Sequence, residues 1–477
     1  MKSFNRIISF NIIVNVAFIA FCYWILAVKN GFMLPWYDEM SLFEPTQLFF
    51  RQFLYYPGGL LRYAGAWLTQ LMYHPWLGST ALIILWLLLA FLIRKAFRLS
   101  CHAAPLAFLV PFALLVSVVQ IDEAWISMKT TGYIFSNTLG FIFTAGAILL
   151  YKLNSHSPVI ATTISCFCVI CYFIAGYFAL LGAVLCSISA LRPAIKEKSY
   201  INYATILITV ALLIVVPPLY YTYFQGNTVD NDYLYLKGLP DLMMESYDKY
   251  LWMPFIVSTA VFLLFSLING RSLLKNNKVA RWLSLAAFCC GIWWGCTSEH
   301  KSEQLRATVL MLQYLDKNDW EGILGIMSRI KEPPNYTMRM LKNLALANLW
   351  QPQEDMSAYT PKRTDARHSE PFTMTAFVNV PVYYNMARFN ESYRWAMEHT
   401  VQYGKRVFFL KYMVKDALMN GEIRLARRYN EILRSTMFHR EWAENMNRYI
   451  EDPALIATSP EFRNVLAVIN TLMDNGK

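Results

Sequence analysis

No cysteine occurs in the last 181 residues of this 477-residue chain; all nine lie at or before Cys296. That absence removes a disulfide framework from the carboxy-terminal part and is compatible with an oxidising compartment. Acidic residues are scarce at the other end, where only 11 of the 32 Asp and Glu fall in the first 297 residues, against 19 of the 43 Lys and Arg. No Gly-rich phosphate loop or Walker motif appears, which removes ATP-driven transport by this chain alone. There is no nucleophile elbow. The seven His are scattered without metal-ligand spacing, so no zinc site is expected. Cys166, Cys168 and Cys171 sit in a continuous apolar run, where cysteine behaves as a small hydrophobe. No charged pathway crosses the apolar runs, which disfavours a secondary transporter. The net charge of +11 does not argue for nucleic acid, because +8 of it lies in the apolar part.

What is present is hydrocarbon. Apolar residues make up 56% of the chain and charged residues 16%, the balance of a polytopic membrane protein. Apolar runs near 7–28, 75–93, 104–121, 132–151, 158–174, 176–190, 201–223, 251–268 and 282–296 predict about nine transmembrane helices, with a break near Gly176. The first run is longer than a signal-peptide core and reads as a retained anchor. One set of loops carries 13 Lys and Arg and the other carries 6. The positive-inside rule therefore predicts a cytoplasmic amino terminus and, with an odd helix count, an extracytoplasmic carboxy-terminal part. Ten of the eleven acids then fall outside, Asp38 and Glu39 among them.

The first outer loop, 29–74, is too long for a connector. Leu42, Phe43, Phe49, Phe50, Phe53 and Leu54 recur at helical spacing and predict an amphipathic interfacial helix over 41–54. Pro57-Gly58-Gly59 breaks it, and a second apolar stripe over 59–72 carries Arg62 on its other face. This order of parts resembles the first extracytoplasmic loop of GT-C glycosyltransferases, in particular the protein O-mannosyltransferases. There an Asp-Glu pair opens the loop, and an interfacial helix, a Pro-containing turn and a short helix follow. The resemblance covers about 60 residues. It departs at the turn, where Tyr-Tyr-Pro-Gly-Gly replaces His-Pro-Pro. The YYPGGL stretch also resembles an uncharacterised family of bacterial envelope proteins that brings no mechanism with it.

The resemblance implies a fold of GT-C type and transfer of a sugar from a polyprenyl-phosphate donor to an extracytoplasmic acceptor. Such chemistry needs a carboxylate base at the interface and cations beside the phosphate leaving group. Asp38 is the expected base, with Glu39 as its neighbour, and Arg62 and Lys129 are the expected phosphate partners. Asp122 and Glu123, opening the second outer loop, could shape the acceptor site or join Asp38 around a divalent cation. No other cofactor and no metal ligand set is expected; the lipid-phosphate sugar would be a co-substrate. Equally open is that these acids are solvated loop residues. The loop 224–250, with five acids and four Tyr, is a candidate sugar-binding surface.

From Ser298 the pattern changes to helix pairs, 303–316 with 319–330, 372–388 with 390–402, and 407–419 with 422–434. Their spacing approximates the 34-residue tetratricopeptide period, and "NGEIRLARRYNEIL" resembles a second repeat helix. The expectation is thus all-α, with a transmembrane domain over 1–297, its interfacial helices over 41–72, and an extracytoplasmic helical-repeat domain over 298–477. Certain animal membrane mannosyltransferases also join a GT-C core to such repeats. The expected setting is the bacterial inner membrane, and the partners are the bilayer, a polyprenyl-phosphate lipid and a protein or peptide on the repeats. Two functions stay open: a membrane glycosyltransferase, or a non-enzymatic scaffold whose repeats bind envelope or secretion partners.

Overall fold

A computed structural model describes residues 2–121, 124–128, 132–197, 199–224, 234–239, 249–268, 277–298, 302–351 and 372–475. The described residues are mostly helical, and no strand occurs among them. The chain forms two compact units. One comprises Met1–Leu34, Thr46–Ile121 and Thr130–Glu299; the other comprises Pro35–Pro45, Asp122–Lys129 and His300–Lys477.

Among the described residues of the first unit six helices are long and apolar enough to cross a membrane: Phe10–Lys29, Pro75–Ala96, Tyr133–Leu153, Tyr177–Ile195, Tyr200–Tyr223 and Lys278–Thr297. This is the make-up of a multi-pass membrane protein. The three other expected spans are shorter helices, Ala104–Val119, Pro158–Ile170 and Trp252–Ile268. The long apolar stretch from Pro158 breaks where expected. Gly176 adopts φ +53, a region side chains avoid, and the next helix starts at Tyr177.

The predicted helix over 41–54 is shorter than its periodicity suggested. It runs Gln47–Leu54, with the Thr46 hydroxyl accepting from the Phe49 N–H at 3.2 Å as its cap. Pro45 and that cap set the start, and Leu42 and Phe43 are buried in the second unit. After the Pro57-Gly58 turn the helix Gly59–Thr69 packs on the span Tyr133–Leu153. Gly65 lies so close to Gly132 that either backbone would collide with an added Cβ, so the two chains meet without side chains.

The second unit stacks helices in sequence: Glu303–Asp316, Trp320–Met327, Tyr336–Asn348, Phe372–Asn385, Phe389–Tyr403, Val407–Met419, Ile423–Arg434, Arg440–Glu451 and Arg463–Asn475. The three expected pairs are present within a few residues of their predicted bounds. Turn chemistry explains the bounds. Asn318 adopts φ +56 and Asp319 caps Trp320–Met327 by accepting from the Gly322 N–H at 2.8 Å; Gly421 sits at φ +73 before Ile423–Arg434.

Candidate functional site

The short helix Leu34–Glu39 carries both carboxylates of the first acidic pair. It ends because the Ser41 N–H and hydroxyl both donate to the Asp38 carbonyl, at 2.9 and 3.0 Å. The Ser41 carbonyl in turn accepts from the Val407 N–H at 3.2 Å, a main-chain tie to the start of Val407–Met419. Trp36 on the same helix joins Trp125, Phe377 and Phe408 in one aromatic cluster, with ring centres 4.7–6.0 Å apart. All four rings are buried, and each such pair adds about 0.5–1.5 kcal/mol to the burial itself. Segments 35–45 and 124–128 are therefore built into the helical unit by apolar packing before any charge is considered.

The charges follow from that seating. Asp38 is 1% exposed, and its Oδ2 lies 2.7 Å from Nε2 of His439, itself 2% exposed. Burial pushes the Asp38 carboxyl above its ordinary value, and the His439 contact recovers part of that shift. Glu39 is half-buried and bonded to the Lys411 ammonium. Burial pushes Glu39 up, yet Lys411, His439 and Lys415 together outweigh it and hold the carboxyl below its ordinary range. The same contact holds Lys411 above its ordinary value despite burial. One turn along, Lys415 pairs with Glu461 at 3.0 Å, and both lysines lie over the ring of Trp442.

Arg406 completes the arrangement. It is fully buried and donates from Nη1 to the Ile126 carbonyl and from Nη2 to the Met128 carbonyl at 2.6 Å. Burial pulls its pKa down to about 10. A guanidinium suits this job because its fork reaches two carbonyls at once without losing its charge. Deeper in the unit, Asp416 accepts from the Ser392 hydroxyl at 2.8 Å, and burial pushes its carboxyl far up.

The structure thus brings Asp38 together with His439 and Glu39 with Lys411, while Arg406 holds the 126–128 segment in the same unit. Arg62 belongs to the first unit, where its Nη2 donates to the Leu239 carbonyl at 3.0 Å. Asp122, Glu123 and Lys129 lie outside the described residues, as does most of loop 224–250. No group of three His, Cys, Asp or Glu is placed to hold a metal ion among the described residues. Chemically, Asp38 and His439 hold one another in a single buried hydrogen bond. The raised Asp38 pKa is what a base needs, but 1% exposure gives an acceptor hydroxyl no approach.

His439, Lys411 and Arg406 were not legible as partners. One signal existed for Arg406: it stands at the N-cap of Val407–Met419, where the helix dipole disfavours a cation, so a compensating contact was required.

The chain belongs to a family of unknown function (DUF6057), whose model matches residues 4–475. No curated protein and no solved structure matches it.

Proposed function

We propose that this family member is a non-enzymatic membrane scaffold. Its helical unit, of tetratricopeptide-like type, holds a protein or peptide partner outside the cytoplasm, and the acidic pair of the first loop is a structural anchor of that unit. One observation carries this reading: both carboxylates that transfer chemistry would require are engaged in basic contacts, Asp38 with His439 and Glu39 with Lys411. A base must present a lone pair to its substrate, and Asp38 is enclosed. Nine spans with the amino terminus in the cytoplasm of a bacterial inner membrane remain part of the proposal, supported by the 13-to-6 division of loop cations.

The transferase alternative, with Asp38 as base and Arg62 and Lys129 on a polyprenyl phosphate, makes the opposite prediction for one variant. In Asp38→Asn the scaffold reading expects a lower melting temperature of the purified full chain and an unchanged lipid-linked sugar and glycan profile in cells. A lost sugar product at unchanged melting temperature would give Asp38 the base role and overturn the scaffold.

A further inference from the structure

A cavity of about 320 Å³ opens in the first unit between Phe10–Lys29, Pro75–Ala96 and the turn Ala104–Phe108. Its volume reaches the lower end of ligand pockets, roughly 300–1,000 Å³. The lining is sorted along its length. Asn11 and Arg94 mark one end, Asn15 sits midway, and Ile19 with Leu87 mark the other. Eight residues separate Asn11 from Ile19, about 12 Å of helix at 1.5 Å per residue. The back wall is buried at Ala90 and Ala107, whereas Ile19 and Phe91 are exposed on an apolar helical surface. The trough therefore has a polar head end, a hydrocarbon tail end and a mouth on the side where lipid lies.

Two further facts concern the head end. The Asn11 Oδ1 is buried there with no hydrogen-bond partner among the described residues. Among the described residues Arg94 makes one weak hydrogen bond, Nη2 to the Cys101 sulfur at 3.4 Å. Among the described residues of this unit Glu197 is the sole acidic residue, so Arg94 meets no carboxylate with a described side chain. More cations stand nearby: Lys95 and Arg98 follow on the same chain, and Arg281 lies 3.3 Å from His102. Basic pockets between spans recruit anionic headgroups by this charge imbalance.

The geometry points to a binding site for one anionic glycerophospholipid, its phosphate on Arg94, its headgroup hydroxyls or bound water on Asn11 and Asn15, and an acyl chain along Ala90 and Phe91. A soluble phosphate would use Arg94 but leave the apolar trough empty, which is why a lipid fits better.

The test is native mass spectrometry of the purified full chain in mild detergent, titrated with phosphatidylglycerol, phosphatidylcholine of the same acyl chains, and inorganic phosphate. Phosphatidylglycerol is expected to be retained about tenfold better than phosphatidylcholine, whose phosphate can also reach Arg94 but whose headgroup adds a cation beside that charge and lacks the hydroxyls for Asn11 and Asn15. Arg94→Gln should remove that preference, and Arg51→Gln, on the helix Gln47–Leu54 and outside the lining, should keep it. Ala90→Leu, which narrows the trough but leaves Arg94, should weaken retention of both lipids. Equal retention of the two lipids by the unaltered protein overturns the site without any variant. Full displacement of the lipid by millimolar phosphate overturns the lipid assignment.

Discussion

The two units treat buried polarity in opposite ways. In the membrane unit the buried polar groups are mostly small and neutral. Thr162 and Thr205 share a hydrogen bond at 2.6 Å, Ser165 and Thr209 at 3.0 Å, and Tyr177 and Thr259 at 2.7 Å. Many of these hydroxyls also bond a carbonyl one turn back on their own helix, as Thr209 does at 2.7 Å. In the second unit ionisable side chains are drawn inside beside a polar partner: Asp38 beside His439, half-buried Glu39 beside Lys411, Arg406 beside two carbonyls. The difference follows from solvent. A helix in lipid has its backbone satisfied and gains from neutral glue, whereas an unpaired charge there costs several kcal/mol. A charge can be buried where its partner arrives with it, as in the second unit.

Breaking that contrast at its strongest point should have the largest effect. Arg406→Ala leaves the Ile126 and Met128 carbonyls without their donor and removes a fully buried side chain, for an expected loss of about 4 kcal/mol. Melting of the full chain and protease resistance of 300–477 both report it. Arg406→Lys is expected to recover little, because an ammonium cannot span two carbonyls.

Next comes His439→Ala, which strands the Asp38 carboxylate and should cost about 3 kcal/mol. Asp38→Asn in that background should regain part of the loss, and a double-mutant cycle measures the coupling. Additive single effects would mean that the contact contributes nothing.

The pH response sharpens the comparison further. His399 stacks on Phe409 at 4.6 Å, and burial with the nearby Arg406 charge pulls its pKa from 6.5 to about 4. The unfolded chain binds this proton below 6.5 and the folded one does not until about 4. Stability is therefore present above the unfolded value and falls as pH drops through that window, by up to about 3 kcal/mol. Glu39 acts in the same direction below 4.5, since its folded pKa is depressed. His399→Phe should flatten the upper part of the curve, and an unchanged slope would reject the assignment.

The smallest effect belongs to the membrane unit. Thr162→Val removes one interhelical hydroxyl contact and should cost about 0.6 kcal/mol, measured by melting in detergent. A loss as large as that of Arg406→Ala would erase the distinction between the units.

Local signals in the sequence carried much of this. Periodicity located the helix pairs of the second unit and a helix at each apolar run, and Gly176 marked a real break. Asp38 and Glu39 stood out in the sequence, but the residues they contact lie hundreds of positions away. No local pattern links Asp38 to His439, 401 residues on, or Glu39 to Lys411, 372 residues on. The same limit hid the membership of 35–45 in the helical unit. Leu42 and Phe43 matched an amphipathic helix by spacing, while Pro45 and the Thr46 cap placed the helix after them. Arg62 likewise looked like a phosphate ligand by position and is bonded to the Leu239 carbonyl, 177 residues away.

A charge swap tests the anchor role most directly. Glu39→Lys and Lys411→Glu should each lower the melting temperature of the full chain by several degrees, about 2 kcal/mol apiece, and the double swap should restore most of it. If Glu39→Lys alone melts like the unaltered protein, the acidic pair anchors nothing.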